Sequence, residues 1–130
     1  MEFVEELVFS GCSAGGKGSL EQLEIVKNKM SETNVRVTGM PYSGWFPAEG
    51  IEDYGGGTAY LDEWYAGYQI WTDHGKYRTP IYQKCMDAHP ENPKYCMGSD
   101  YLQHYVDVPF FHIGETFDWY AIWEAHHDAR

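Results

Sequence analysis

Near the start of the 130-residue chain, Gly11-Cys12-Ser13-Ala14-Gly15-Gly16-Lys17-Gly18 sets a thiol, a hydroxyl and an ammonium among glycines. Such a stretch can serve three chemistries or none. A phosphate cradle needs G-x-x-x-x-G-K followed by Ser or Thr, whose hydroxyl holds magnesium. Gly11 to Lys17 meets the first part, but Gly18 stands where the hydroxyl belongs. The dinucleotide pattern G-x-G-x-x-G is not present. Gly11-Cys12-Ser13-Ala14-Gly15 does satisfy G-x-S-x-G in full, the pattern of a nucleophile elbow. In that turn the chain reverses so tightly that only small residues fit around the serine. The serine then stands at a helix N-terminus, where the amide of Ala14 can face a developing oxyanion. A plain glycine-rich turn without chemistry is the alternative.

The elements around the motif choose between these readings. Residues 4–11 (VEELVFSG) form a short apolar run ending in Gly, which predicts a strand. After it, Leu20, Leu23, Val26 and Met30 recur at three- and four-residue steps among Glu and Lys, which predicts an amphipathic helix. Residues 34–40 (NVRVTGM) alternate and predict a second strand. Strand, elbow, helix and strand make the βαβ unit of a mostly parallel sheet, so the fold class is α/β. The loop that follows carries Trp45 and Phe46, which either plug a core or wall a pocket at the carboxyl edge of the sheet. A helix is expected over residues 58–73, with Leu61, Trp64, Tyr65, Tyr68 and Trp71 on one side. Cys85 and Cys96 flank a Pro/Asn-rich stretch, AHPENPKY, that reads as a loop and suits either a disulfide or two buried free thiols. Residues 106–113 predict a buried strand built on Val106, Val108, Phe110, Phe111 and Ile113, with Pro109 sitting awkwardly inside it. Asp118 follows that strand, either as a triad acid in the chain order Ser, Asp, His or as a helix N-cap.

The totals exclude other classes. Aromatic residues make up 17% of the chain, too much apolar surface for a disordered one. A net charge of −11, from 20 acidic and 9 basic residues, works against a nucleic-acid partner. No apolar run approaches the length of a membrane span, and no signal-peptide pattern opens the chain. Cys85, Cys96, His89 and His104 match no zinc-ligand spacing, and the neighbours His126 and His127 point to different faces of a helix, so neither a metal nor another cofactor is expected.

Ser10 to Gly16 (SGCSAGG), Ser43 to Phe46 (SGWF), the Cys85 and Cys96 pair, and Val108 to Ile122 (VPFFHIGETFDWYAI) fall in the order and at the intervals found in one family. Together they resemble the pectin acetylesterase/Notum family of α/β-hydrolase-fold carboxylesterases, over essentially the whole chain. The resemblance implies Ser13 as nucleophile, Asp118 as triad acid and the Ala14 amide as an oxyanion-hole donor. It also implies a Cys85–Cys96 disulfide and a secreted or cell-wall parent protein, and it places Phe46 against the acyl group. The substrate implied is an ester, such as an acetylated polysaccharide. Met97 and Gly98 replace bulky aromatics of Notum, and Tyr120 replaces a small residue, which would shorten an acyl tunnel and favour acetyl over a fatty acyl group. The family's histidine base lies well beyond the acid, whereas Arg130 is only twelve residues past Asp118. The family's Gly-rich oxyanion segment precedes the elbow strand. The chain is therefore expected to be an internal part of the domain, inactive by itself because a serine without its base loses on the order of 10⁶-fold in rate. A carbohydrate-binding module without catalysis is the reading from a different class.

Overall fold

The computed structural model describes residues 4–48, 59–73 and 79–115. These divide into two compact units, one drawn from residues 4–45 and 106–114 and the other from 46–105 and residue 115.

The first unit begins with strand β1 (Glu6–Cys12), passes through Ser13 into helix α1 (Ala14–Lys29) and returns in strand β2 (Arg36–Tyr42). β1 and β2 pair in parallel, with Glu6 opposite Arg36 and Cys12 opposite Tyr42. The βαβ unit read from the sequence is therefore the nucleus of the fold. Side chains alternate across the sheet because successive residues of a strand face opposite sides. Leu7, Phe9, Val37 and Phe110 turn toward α1, where they meet Leu23, Val26 and Met30. Gly39 lets the helix close, since a Cβ there would lie 2.5 Å from Leu23 Cδ2. Buried Glu24 on α1 accepts the Asp107 amide at 3.1 Å and so ties the returning chain to the helix.

Residues 106–113 differ from the strand expected of them. They run beside β2 but make only isolated parallel bridges, Gly39 to Phe110 and Tyr42 to Ile113. The bonds are Gly39 N to Pro109 O and Phe111 N to Gly39 O, both 2.9 Å, and Ile113 N to Pro41 O at 3.0 Å. Proline has no amide to donate, and both sides of this pairing contain one, Pro41 and Pro109, so a continuous ladder cannot form. The segment is not uniformly buried either. Val108 is buried, but Phe111 is 69% exposed. It lies on the face away from α1 together with Val8, Met40 and Tyr42, all exposed. The exposed face of a sheet pairing also carries Arg36, whose guanidinium bonds Glu6 at 3.1 Å and holds that carboxyl below its usual pKa.

The second unit is helical where it is described. Helix α2 (Ala59–Asp73) matches the expected span, with Leu61 buried and Trp64, Tyr65 and Tyr68 half-buried. Trp71 is 57% exposed, contrary to its place on the expected stripe, because ten residues from Leu61 the helix has turned about 80° away. Helix α3 (Pro80–Ala88) starts on a proline at its first position, where the missing amide costs nothing. A 3-10 helix (Pro93–Met97), helix α4 (Ser99–Leu102) and a further 3-10 turn (Gln103–Tyr105) follow. Between the cysteines, residues 89–92 form the expected turn, while α3 runs on to Ala88 and a 3-10 helix begins at Pro93.

Cys85 and Cys96 are bonded, with Cα atoms 5.8 Å apart, and both are fully buried. Closing 11 residues in the unfolded chain corresponds to roughly 3 kcal/mol of stability. Thiol labelling of the denatured, unreduced protein should therefore modify Cys12 alone. The double replacement Cys85→Ala, Cys96→Ala should lower stability by that amount in a denaturant titration. Labelling of three cysteines without reductant would contradict the bridge.

Candidate active site

Ser13 stands between the last residue of β1 and the first of α1, with φ 56° and ψ −126°. A non-glycine residue at positive φ is strained by about 1–3 kcal/mol and persists only where its surroundings dictate it. They do so here through two bonds. Its amide donates to Tyr42 O at 2.9 Å, and its carbonyl accepts the Lys17 amide at 3.1 Å. A serine in this N-cap position ordinarily spends its hydroxyl on the helix amides. Ser13 makes no side-chain cap bond, and the residue is exposed. Ala14, as the first helical residue, has no intrahelical acceptor for its amide, and no acidic side chain in the first turn offsets the positive end of the helix.

Backbone crowding explains which glycines the turn needs. A Cβ on Gly11 would overlap the Gly15 carbonyl. One on Gly16 would lie 2.6 Å from Tyr42 O and 3.1 Å from Gly44 Cα, and one on Gly44 would strike the Gly16 and Lys17 backbone. Gly15, part of the motif itself, faces open space. Small size is thus required at Gly11, Gly16 and Gly44, and only the first belongs to G-x-S-x-G. Lys17 is buried and pairs with Glu21 at 2.8 Å, so the charge that suggests a phosphate cradle is spent within the helix. A cysteine inside an elbow would be expected to lie buried beside the serine, but Cys12 is exposed. Alternation along β1 puts it opposite Tyr42 on the face away from α1.

The other expected site residues are placed as follows. Trp45 packs its ring on His112, with centroids 5.2 Å apart. Phe46 sits edge-on to Trp64 at 5.3 Å, and its amide donates to Ser99 Oγ at 3.1 Å. Asp118 and Tyr120, with His126 and His127, lie outside the described residues. The chain before them ends at the same edge of the sheet as Ser13, since the Ser43 amide donates to Ile113 O at 2.7 Å while the Ser13 amide donates to Tyr42 O. Among the described residues no group of three or more His, Cys, Asp or Glu is arranged to hold a metal ion. Also among them, no helix is long and apolar enough to cross a membrane.

Neither Ser43 nor His112 has a role of its own assigned from the sequence. Ser43 has φ 44°, and the described chain has no other non-glycine residue at positive φ besides Ser13. The signal available was its Ser-Gly pair directly after a strand. His112 is partly buried, and burial pushes its imidazole below the usual pKa. A histidine so depressed contributes stability that is complete above its unfolded value near 6.5 and is lost as pH falls through the lower folded value. Acidification from about pH 7 to 5 should therefore destabilise the protein more than it does a His112→Phe variant, with the ring titration followed by NMR. A His112 titrating at or above about 6.5 would refute this.

The family model for pectinacetylesterase matches residues 1–129. This chain belongs to the pectinacetylesterase family. Among curated protein sequences none is significantly similar to it. Two crystal forms of the Wnt deacylase Notum from Drosophila share the fold of this pectinacetylesterase-family chain, each with a TM-score of 0.68 and 21% sequence identity. The match covers 92% of this chain but only 34% and 33% of theirs, so the chain spans about a third of the length of those structures. The architecture is accordingly a mixed α/β one that matches part of the α/β-hydrolase fold, and the family is one of ester hydrolases.

Proposed function

We propose that this chain carries the nucleophile of a serine carboxylesterase that removes a small acyl group, acetyl above all, from a polysaccharide or similar ester. The observation that carries the reading is Ser13. It is held at positive φ at the mouth of α1, with its hydroxyl free of the capping bond that its position invites. In the proposed reaction Ser13 Oγ adds to the ester carbonyl and a histidine base takes its proton. The base is oriented by Asp118, and the Ala14 amide donates to the oxyanion. Collapse expels the alcohol, which receives the proton from the base, and water then releases acetate from the acyl-serine. Trp45, Phe46 and Tyr120 are the proposed walls of the acyl pocket, with Tyr120 closing its far end. The net charge of −11 disfavours a polyanionic alcohol such as demethylated pectin. The buried disulfide supports a secreted protein, since such bonds persist in oxidising compartments.

Acyl-chain length tests the substrate side. The full-length protein should hydrolyse an activated acetyl ester at least about tenfold faster than the octanoyl ester, and Tyr120→Ala should narrow that ratio. Equal rates on both esters would remove the small-acyl assignment. An organophosphonate should label the peptide bearing Ser13 and no other serine.

A further inference from the structure

Among the described residues, two buried polar atoms of the first unit have no hydrogen-bond partner, Ser43 Oγ and His112 Nε2. Each is costly to leave so, because a desolvated donor or acceptor forfeits its bonds to water. In either tautomer Nε2 is a donor or an acceptor, and a hydroxyl can be both. The two belong to adjoining segments, since the Ser43 amide donates to Ile113 O at 2.7 Å and the ring of Trp45 rests on that of His112. Continuing the pairing of Cys12 with Tyr42 puts Ser43 beside Ser13, one step past the ends of both strands.

Ser43 is also the residue that glycine would replace most cheaply. Glycine adopts φ 44° without strain and has no hydroxyl to orphan. A serine at such a position points to a use for the hydroxyl. Its turn delivers Gly44 onto the backbone of Gly16 and Lys17, the first turn of the helix that Ser13 begins. We infer that Ser43 and His112 are a positioning pair, joined through one buried water, that clamps the Ser43–Trp45 turn onto the first turn of α1 and so fixes the nucleophile. Two such partners are the minimum number of polar contacts that an internal water needs. The effect on catalysis rests on the esterase reading, whereas the clamp does not.

The experiment compares Ser43→Gly, His112→Phe, His112→Gln and the double variant Ser43→Gly, His112→Phe in the full-length protein. Ser43→Gly should leave the thermal midpoint within about 4 °C of the parent. Amide hydrogen exchange at Ser13 and Lys17, whose amides are bonded to Tyr42 O and Ser13 O, should nevertheless speed about fivefold, and kcat on an activated acetyl ester should fall about fivefold with KM unchanged. His112→Phe, which keeps a ring against Trp45, should match it, and His112→Gln should recover part of the loss. The double variant should lose no more than either single one, since both remove the same link. Losses that multiply would overturn the shared link, and unchanged exchange at Ser13 and Lys17 would overturn the clamp. Faster exchange in a protein whose Ser13→Ala variant keeps its hydrolytic rate would leave the clamp standing and remove the esterase reading.

Discussion

Ser13→Ala in the full-length protein should lower the hydrolysis of an activated acetyl ester by about 10⁴- to 10⁶-fold, with the fold intact. The size follows from the role, since without Oγ no acyl-enzyme forms and the oxyanion donors act only on attack by water. The fold should survive because Ser13 contributes to α1 through its backbone alone. Its amide bond to Tyr42 and its carbonyl bond from Lys17 remain available to alanine. Alanine must also take φ 56°, so a modest loss of about 1 kcal/mol is expected in a melt. Single-turnover kinetics with circular dichroism on the same sample separates the two effects. A variant that keeps more than about one part in a hundred of the parental rate would show that another group is the nucleophile.

Gly11→Ala should cost on the order of 4 kcal/mol and abolish the elbow, because the new methyl would occupy the place of the Gly15 carbonyl. Neither partner is the far end of a flexible side chain, so relief requires a shift of the first turn of α1, carrying Ser13 with it. Gly15→Ala provides the contrast. Nothing lies within 4 Å of its added carbon, so stability should hold or improve by about 0.5–1 kcal/mol. The two glycines bracket the same serine in the same motif, and urea titrations of both variants would show opposite outcomes. Similar losses from both would mean that the motif is read as a block and that the crowding described here is not its cause.

How far the sequence carried this architecture depended on how local each cause is. The βαβ unit was legible because apolar periodicity changes from two to about 3.6 across a glycine turn, and both signals lie within 40 residues. The elbow was legible because its conformation is dictated by residues adjacent in the chain. Residues 106–113 were misjudged because their regularity depends on a partner 70 residues away, and Pro41 on that partner interrupts the ladder as much as Pro109 does. The exposure of Cys12 follows from which face of β1 meets α1, and the composition of a seven-residue strand leaves that open. The need for Gly44 escaped notice for the same reason. It serves a contact with Gly16 on α1, from which β2 separates it in the chain. The helical turns between the cysteines were hidden by Pro90 and Pro93, which read as loop formers although the second opens a 3-10 helix.

The exposed apolar residues of the sheet have a practical bearing on handling the protein. Val8, Met40, Tyr42 and Phe111 form an apolar band on parallel strands, a kind of sheet that natural proteins shield on both sides. Against that band, the charge of −11 supplies the colloidal repulsion that keeps copies apart. Near the sequence pI of about 4.8 that repulsion vanishes while the band remains. Purification through acidic buffers, or storage at high ionic strength, would then favour stacking of one band on another and turbid solutions. Low salt at neutral or alkaline pH is the regime in which this polypeptide stays dispersed.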